Sequence, residues 1–168
     1  MKSNYFFELP FCFYFVVIFF SFSGCVRNDM RPMYGFNNVL FQSSNSFREP
    51  SLATKWLVAL ANYQGKDKIE MIDINSKKRV PLPGINRADS QPISVSISAN
   101  GERLALIRQR ADQTELLIYR RKVGSLQRIE LKPKGIPRRV SLDSSGRVLA
   151  VQVSRAGRWD VEVIRLNG

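Results

Sequence analysis

Few residues in this chain could do chemistry. It has 168 residues, two cysteines and no histidine. Without histidine, the commonest general base, the commonest zinc ligand and the imidazole of nucleophile triads are all missing. Cys12 lies inside the apolar run FCFYFVVIFF, residues 11–20, and Cys25 closes Phe22-Ser23-Gly24-Cys25. An apolar run followed by small residues has the form of a signal-peptide core and its cleavage site. The carboxylates Asp67, Glu70, Asp73, Asp89, Glu102, Asp112, Glu115, Glu130, Asp143, Asp160 and Glu162 are scattered. None forms the dense ligand loop that calcium needs, and no glycine loop for phosphate is present. They read as solvated turn and strand residues. The expectation is therefore a protein that is not an enzyme, with no catalytic residues, no cofactor and no metal.

Phe22-Ser23-Gly24-Cys25 resembles the lipobox of bacterial lipoproteins, with Phe22 where the family prefers leucine. The resemblance implies a signal peptide over residues 1–24, cleavage between Gly24 and Cys25, and lipidation of Cys25. It also implies residence in the bacterial cell envelope, anchored in a membrane and facing the periplasm. Lys2 and the free amine supply a basic start, and Phe11 to Phe20 supply the apolar core. An uncleaved anchor also fits, because Leu9 to Val26 is 18 residues without a charge. Both readings put the remainder at a membrane surface. If Cys12 is removed and Cys25 acylated, no free thiol is left for catalysis or disulfides.

The formal net charge is +12, from 26 basic and 14 acidic residues. Removing residues 1–24 removes one of each, Lys2 and Glu8, so the surplus stays in the remainder. Such a surplus favours anionic partners. Arg120, Arg121 and Lys122 form one basic group; Lys132, Lys134, Arg138 and Arg139 form another around a Pro-Gly connection. These residues are the candidate surface for an envelope protein or an anionic glycan. Nucleic acid is not expected, since nothing beyond charge points to it.

Residues 25–50 are rich in Asn, Ser, Arg and Pro and read as a linker after the lipidated cysteine. One short piece, Asn38-Val39-Leu40-Phe41-Gln42, has strand composition and could fill an outer position of the first sheet.

Further along, the chain repeats. Ser96 to Arg121 aligns with Ser141 to Leu166, with Gly101 and Gly146, Ala105 and Ala150, and Ile118 and Val163 each 45 residues apart. A weaker copy, Trp56 to Ile74, comes first at an offset of 46 or 47. Ile93, Val95 and Ile97 alternate with serines as a half-buried strand would. Asn100-Gly101 and Ser145-Gly146 mark tight turns. Leu104 to Ile107 and Val148 to Val151 are nearly all apolar, as strands covered on both faces are. Turns at residues 111–113 and 156–157 then lead into third strands, and Gln127 to Leu131 is a fourth in the middle copy. Four antiparallel strands per roughly 40–45 residues is the spacing of a propeller blade, as in WD40 repeats.

Ser98-Ala99-Asn100-Gly101-Glu102-Arg103-Leu104-Ala105-Leu106 resembles the repeat of the TolB family of propellers, and Asp143 to Val151 follows the same frame more loosely. Leu116-Leu117-Ile118-Tyr119 takes the place of that repeat's later strand. The resemblance spans residues 55–168 and implies scaffolding within an envelope complex. The expected fold class is all-β: four-stranded antiparallel sheets of β-propeller type over residues 51–168, in about three blades, 51–90, 91–135 and 136–168. A plain meander or sandwich is the alternative.

Three blades fall short of the 4–8 of typical closed propellers. Either two chains combine as a homodimer, or the stack stays open. The expected function is a membrane-anchored envelope lipoprotein whose propeller fragment binds or scaffolds proteins or glycans. The alternative is an accessory, non-catalytic propeller module of an envelope hydrolase.

Overall fold

The structure is a computed structural model that describes residues 30–43 and 45–167. The proposed signal peptide, the cleavage point at Gly24 and the lipidation site Cys25 lie outside the described residues. The chain divides into two units, Met1–Met33 and Tyr34–Gly168. Every helix and strand described belongs to the second.

That unit is all-β apart from one short helix, α1 (Tyr34–Phe41). Three antiparallel meanders follow. Blade 1 is β1 (Ser46–Ala53), β2 (Trp56–Tyr63), β3 (Lys66–Asp73) and β4 (Lys78–Val80). Blade 2 is β5 (Ser90–Ile97), β6 (Arg103–Arg110), β7 (Gln113–Arg120) and β8 (Ser125–Ile129). Blade 3 is β9 (Ile136–Leu142), β10 (Val148–Arg155) and β11 (Arg158–Arg165). Hydrogen-bonded neighbours follow chain order in every sheet, as in propeller blades.

Local chemistry explains the hairpins. Gln64-Gly65 and Ala156-Gly157 both hold positive φ, which matches the strand twist in two-residue turns. At the β9–β10 turn the Asp143 carboxylate accepts the N–H groups of Ser145, Arg147 and Val148, closing the loop around Gly146.

The blades stack face to face through two apolar layers. Val58, Leu60, Ile69 and Met71 of blade 1 meet Val95, Ile97, Leu104, Leu106, Leu117 and Tyr119 of blade 2. The other face of blade 2, with Ala105, Ile107, Leu116 and Ile118, meets Val140, Leu142, Leu149, Val151 and Val153 of blade 3. Blade 2 is thus buried on both sides, and β6 and β7 need the continuous apolar runs seen in sequence. Fully burying each such aliphatic side chain contributes about 1.5–3 kcal/mol.

Two sequence expectations change. Residues 38–42 form no strand: Phe36, Val39 and Leu40 share the covered side of α1 at helical spacing, and the Gln42 N–H reaches the Asn38 carbonyl at 2.9 Å. The stretch assigned as linker also contains most of β1, the innermost strand of blade 1. Its sequence SFREPSLA alternates in burial but hides this behind charges and Pro50, which sits where the pairing register with β2 shifts. Blade 1 is therefore complete, and only blade 3 lacks a fourth strand among the described residues.

Candidate binding surfaces

Several ionisable groups, buried and exposed, are tied to structural partners. Arg108 and Glu115 face each other across β6 and β7, and Arg108 Nε donates to Glu115 Oε2 at 2.8 Å. Both are buried, Arg108 Nη1 has no partner, and Arg128 approaches Glu115 from outside at 3.6 Å. A planar guanidinium in this position orients the hairpin and fixes Glu115 as an acceptor. Asp89 is bound by Arg87 and Arg110, both at 2.9 Å; the Arg87 hydrogen bond is the main reason its carboxyl falls to about 2. Asp143 is also held at about 2, first by the Ser145 hydroxyl and then by the Val148 N–H. On the far side of blade 1, burial pushes the Glu70 carboxyl up, against the pull of Arg79 at 3.2 Å and in contact with the Tyr63 hydroxyl. Burial also raises the Tyr119 phenol, which donates to the Pro83 carbonyl at 3.0 Å. Among the described residues, no group of three Cys, Asp or Glu side chains could hold a metal ion, and no helix is long and apolar enough to cross a membrane.

The structure divides the basic candidates among three places. Arg120, Arg121 and Lys122 lie at the β7–β8 turn, next to the β5–β6 turn. There Arg121 Nε donates to the Gly101 carbonyl at 2.7 Å, and Lys122 pairs with Glu102 at 2.6 Å. Arg121 and Lys55 also approach the ring of Trp56, at 5.2 and 4.5 Å. Lys132 and Lys134 sit at the opposite end of blade 2, since a meander returns its alternate turns to opposite ends. They line a groove of about 790 Å³ with Arg128, Leu131, Pro133 and Ile136. Arg138 and Arg139 belong to β9, and Arg139 points to the inner strands, where it meets Glu49 at 3.1 Å.

The inner strands β1, β5 and β9 carry a pattern that the strand repeat had hidden. Ser51, Ser96 and Ser141 are 45 residues apart, as are Glu49, Ser94 and Arg139. Ser51, Ser94 and Ser96 each serve the following blade. Ser51 Oγ accepts the Ile97 N–H at 3.3 Å, Ser96 Oγ accepts the Leu142 N–H at 2.9 Å, and Ser94 Oγ accepts the Val140 N–H at 3.3 Å. Ser94 also donates to Glu49 at 3.3 Å. The signal available in sequence was Ser51-Leu52, Ser96-Ile97 and Ser141-Leu142 at constant spacing.

One face of blade 3 is covered by no other element among the described residues. Ala150, Gln152 and Ser154 of β10 share this face with Trp159, Val161 and Val163 of β11, by the pairing of the two strands. Trp159 is 53%, Val161 72% and Val163 68% exposed. The equivalent residues of blade 2, Leu116 and Ile118, are buried because blade 3 covers them. Trp56 packs against the core beneath the β5–β6 turn, whereas Trp159 stays exposed. Gly101 shows how close Trp56 lies: a Cβ there would come within 2.5 Å of the indole Nε1.

No protein-family model matches the chain, and no curated protein matches it. Solved structures do. TolB from Acinetobacter baumannii superposes with a TM-score of 0.56 at 18% identity, covering 70% of this chain and 29% of that one. A TolB homologue from Agrobacterium tumefaciens superposes with a TM-score of 0.54 at 16% identity, covering 72% of this chain and 44% of that one. This chain therefore spans less than half the length of either. The fold is that of a TolB-like β-propeller, present as three blades.

Proposed function

We propose that this chain is a membrane-held, non-catalytic docking module of the bacterial envelope. Acylated Cys25 anchors it, and the propeller blades bind a protein partner in the periplasm. The observation that carries the reading is the uncovered face of blade 3. Trp159, Val161 and Val163 form an apolar strip on β11, whose outer edge pairs with no strand among the described residues. Exposed apolar sheet faces of this kind mark interaction sites. The matching partner is a protein that presents an apolar β-sheet face, as each blade presents to the next. The ion pairs and turn bonds that occupy Asp89, Glu115 and Asp143 support a binding role, and the basic groups at the two ends of blade 2 suit the anionic surroundings of an envelope.

Two measurements test this. Metabolic labelling with a fatty-acid probe should mark the wild-type chain and not Cys25→Ser; equal labelling would reject the anchor. A photo-crosslinking residue at Val161 should trap a protein in intact envelopes, while one at exposed Val123, on the β7–β8 turn, should not. No adduct at Val161 would reject the docking face.

A further inference from the structure

We infer that the end of the blades formed by the β1–β2, β3–β4, β5–β6, β7–β8 and β9–β10 turns is a rim that seats on a bilayer of anionic phospholipid. The inference rests on the membrane anchoring proposed above and names the surface that meets the bilayer.

The turns at this end are joined across the three blades. Trp56 of blade 1 lies beneath Gly101 of blade 2, and Arg121 approaches its ring at 5.2 Å. The Ala99 N–H donates to the Ser144 carbonyl at 2.9 Å, and Arg103 Nη1 donates to the Gly146 carbonyl at 3.1 Å. Cations on these turns therefore share one continuous rim.

The two ends differ in how their cations are satisfied. Flanking the turns at the other end, Arg87 and Arg110 hold Asp89, Arg155 holds Glu162, and Arg158 holds Asp160. At the rim, Lys55 pairs with Asp73 and Lys122 with Glu102, while the Asp143 carboxylate is taken up by its own turn. Lys78, Arg103, Arg120, Arg121, Arg147 and Arg165 pair with no carboxylate among the described residues. Arg103 and Arg120 stand directly opposite each other in β6 and β7, whereas the same strands place Arg108 opposite Glu115 toward the other end. Like charges in that position repel. Arg120 Nη2 reaches Gln127 at 3.2 Å, and its buried Nε has no partner. Phosphates outside the protein offset such repulsion, and a layer of them serves cations spread over three blades at once.

An apolar tip marks the same rim. Val123 is 71% exposed in the turn Arg121-Lys122-Val123-Gly124. An apolar side chain beside cations suits the boundary between headgroups and acyl chains. The chain also enters the propeller here. Helix α1 begins beside Lys77 of the β3–β4 turn, and the residues after it share a groove with Asn62, Tyr63 and Gln64 of the β2–β3 turn at the other end. Its first residue, Tyr34, stands nine positions after Cys25.

Photo-crosslinking to lipid tests this in the full-length chain, reconstituted in phosphatidylcholine vesicles with or without one third phosphatidylglycerol. Flotation confirms insertion. A photo-crosslinking residue at Val123 should yield a phospholipid adduct in the anionic vesicles, and one at Ala156, in the β10–β11 turn at the other end, should yield none. Lys78, Arg147 and Arg165 make no side-chain bond among the described residues. Lys78→Gln/Arg147→Gln/Arg165→Gln should therefore spare the fold and lower the Val123 adduct about tenfold or more, whereas Lys132→Gln/Lys134→Gln should leave it within about twofold. Salt raised to about 1 M should lower the adduct of the chain with no charge removed in the same way. A chain that floats without a Val123 lipid adduct would overturn the inference. So would equal adducts at Val123 and Ala156, equal adducts in neutral and anionic vesicles, or a Val123 adduct to protein alone in intact envelopes. Failure of the anchor is read separately, as fatty-acid labelling that survives Cys25→Ser.

Discussion

The Ser96 hydroxyl accepts the Leu142 N–H at 2.9 Å, joining the inner strand of blade 2 to that of blade 3. Both groups lie in the interior, so the bond removes a backbone donor from water without leaving it unpaired. Ser96→Ala keeps the strand but orphans this N–H. The expected loss is about 1–3 kcal/mol, read as a lower urea midpoint with unchanged slope. Ser141→Ala, at the exposed end of the same series, should change the urea midpoint of a single chain by less than about 0.5 kcal/mol equivalent.

The Arg108–Glu115 pair should behave differently from a surface ion pair. Glu115→Leu alone strands a buried guanidinium and is expected to cost about 3–5 kcal/mol. Arg108→Met/Glu115→Leu removes both charges and should recover most of that loss. Equilibrium denaturation of the two variants and the wild type measures the difference. A double variant as unstable as the single one would reject this account.

Gly101 and Gly157 both hold positive φ, at 69° and 78°, yet their surroundings differ. At Gly157 nothing lies within 4 Å of an added Cβ, so Gly157→Ala should show only the left-handed backbone penalty, about 1–2 kcal/mol. Gly101→Ala adds a collision with Trp56 and should cost about 1–3 kcal/mol more. Tryptophan fluorescence should shift for Gly101→Ala and stay constant for Gly157→Ala.

Acid should loosen two turns together. Asp89 and Asp143 have carboxyls lowered from 3.8 to about 2 in the folded chain. A lowered folded pKa means that the unfolded chain binds protons first. Their contribution to stability is therefore complete above about pH 4 and disappears as pH falls toward 2. Thermal melts between those values should show Tm falling with pH, and Asp143→Asn should flatten part of the slope. An unchanged slope in that variant would remove Asp143 from the explanation.

The sequence by itself determined the strands and turns of residues 56–168. Alternation in β5, the apolar runs of β6 and β10, and glycines at 45-residue spacing are local signals, each set by backbone sterics and by the face a strand must bury. It also put α1 within reach, since Phe36, Val39 and Leu40 follow a helical stripe, but five residues read alone as Asn38 to Gln42 suit a strand equally well. β1 was harder to read: its identity lies in Ser51 and Glu49 matching residues one and two blades away, while Pro50 and the charges mask its own propensity. Only the tertiary structure decided which faces are covered. Leu116 and Val161 occupy the same place in their repeats, but the first is buried and the second exposed, because burial depends on what packs above a strand as well as on the strand's residues. For the same reason Lys132 and Lys134, grouped in sequence with Arg138 and Arg139, part from them: the lysines line the groove at one end of blade 2, while Arg139 reaches Glu49 on the inner strands.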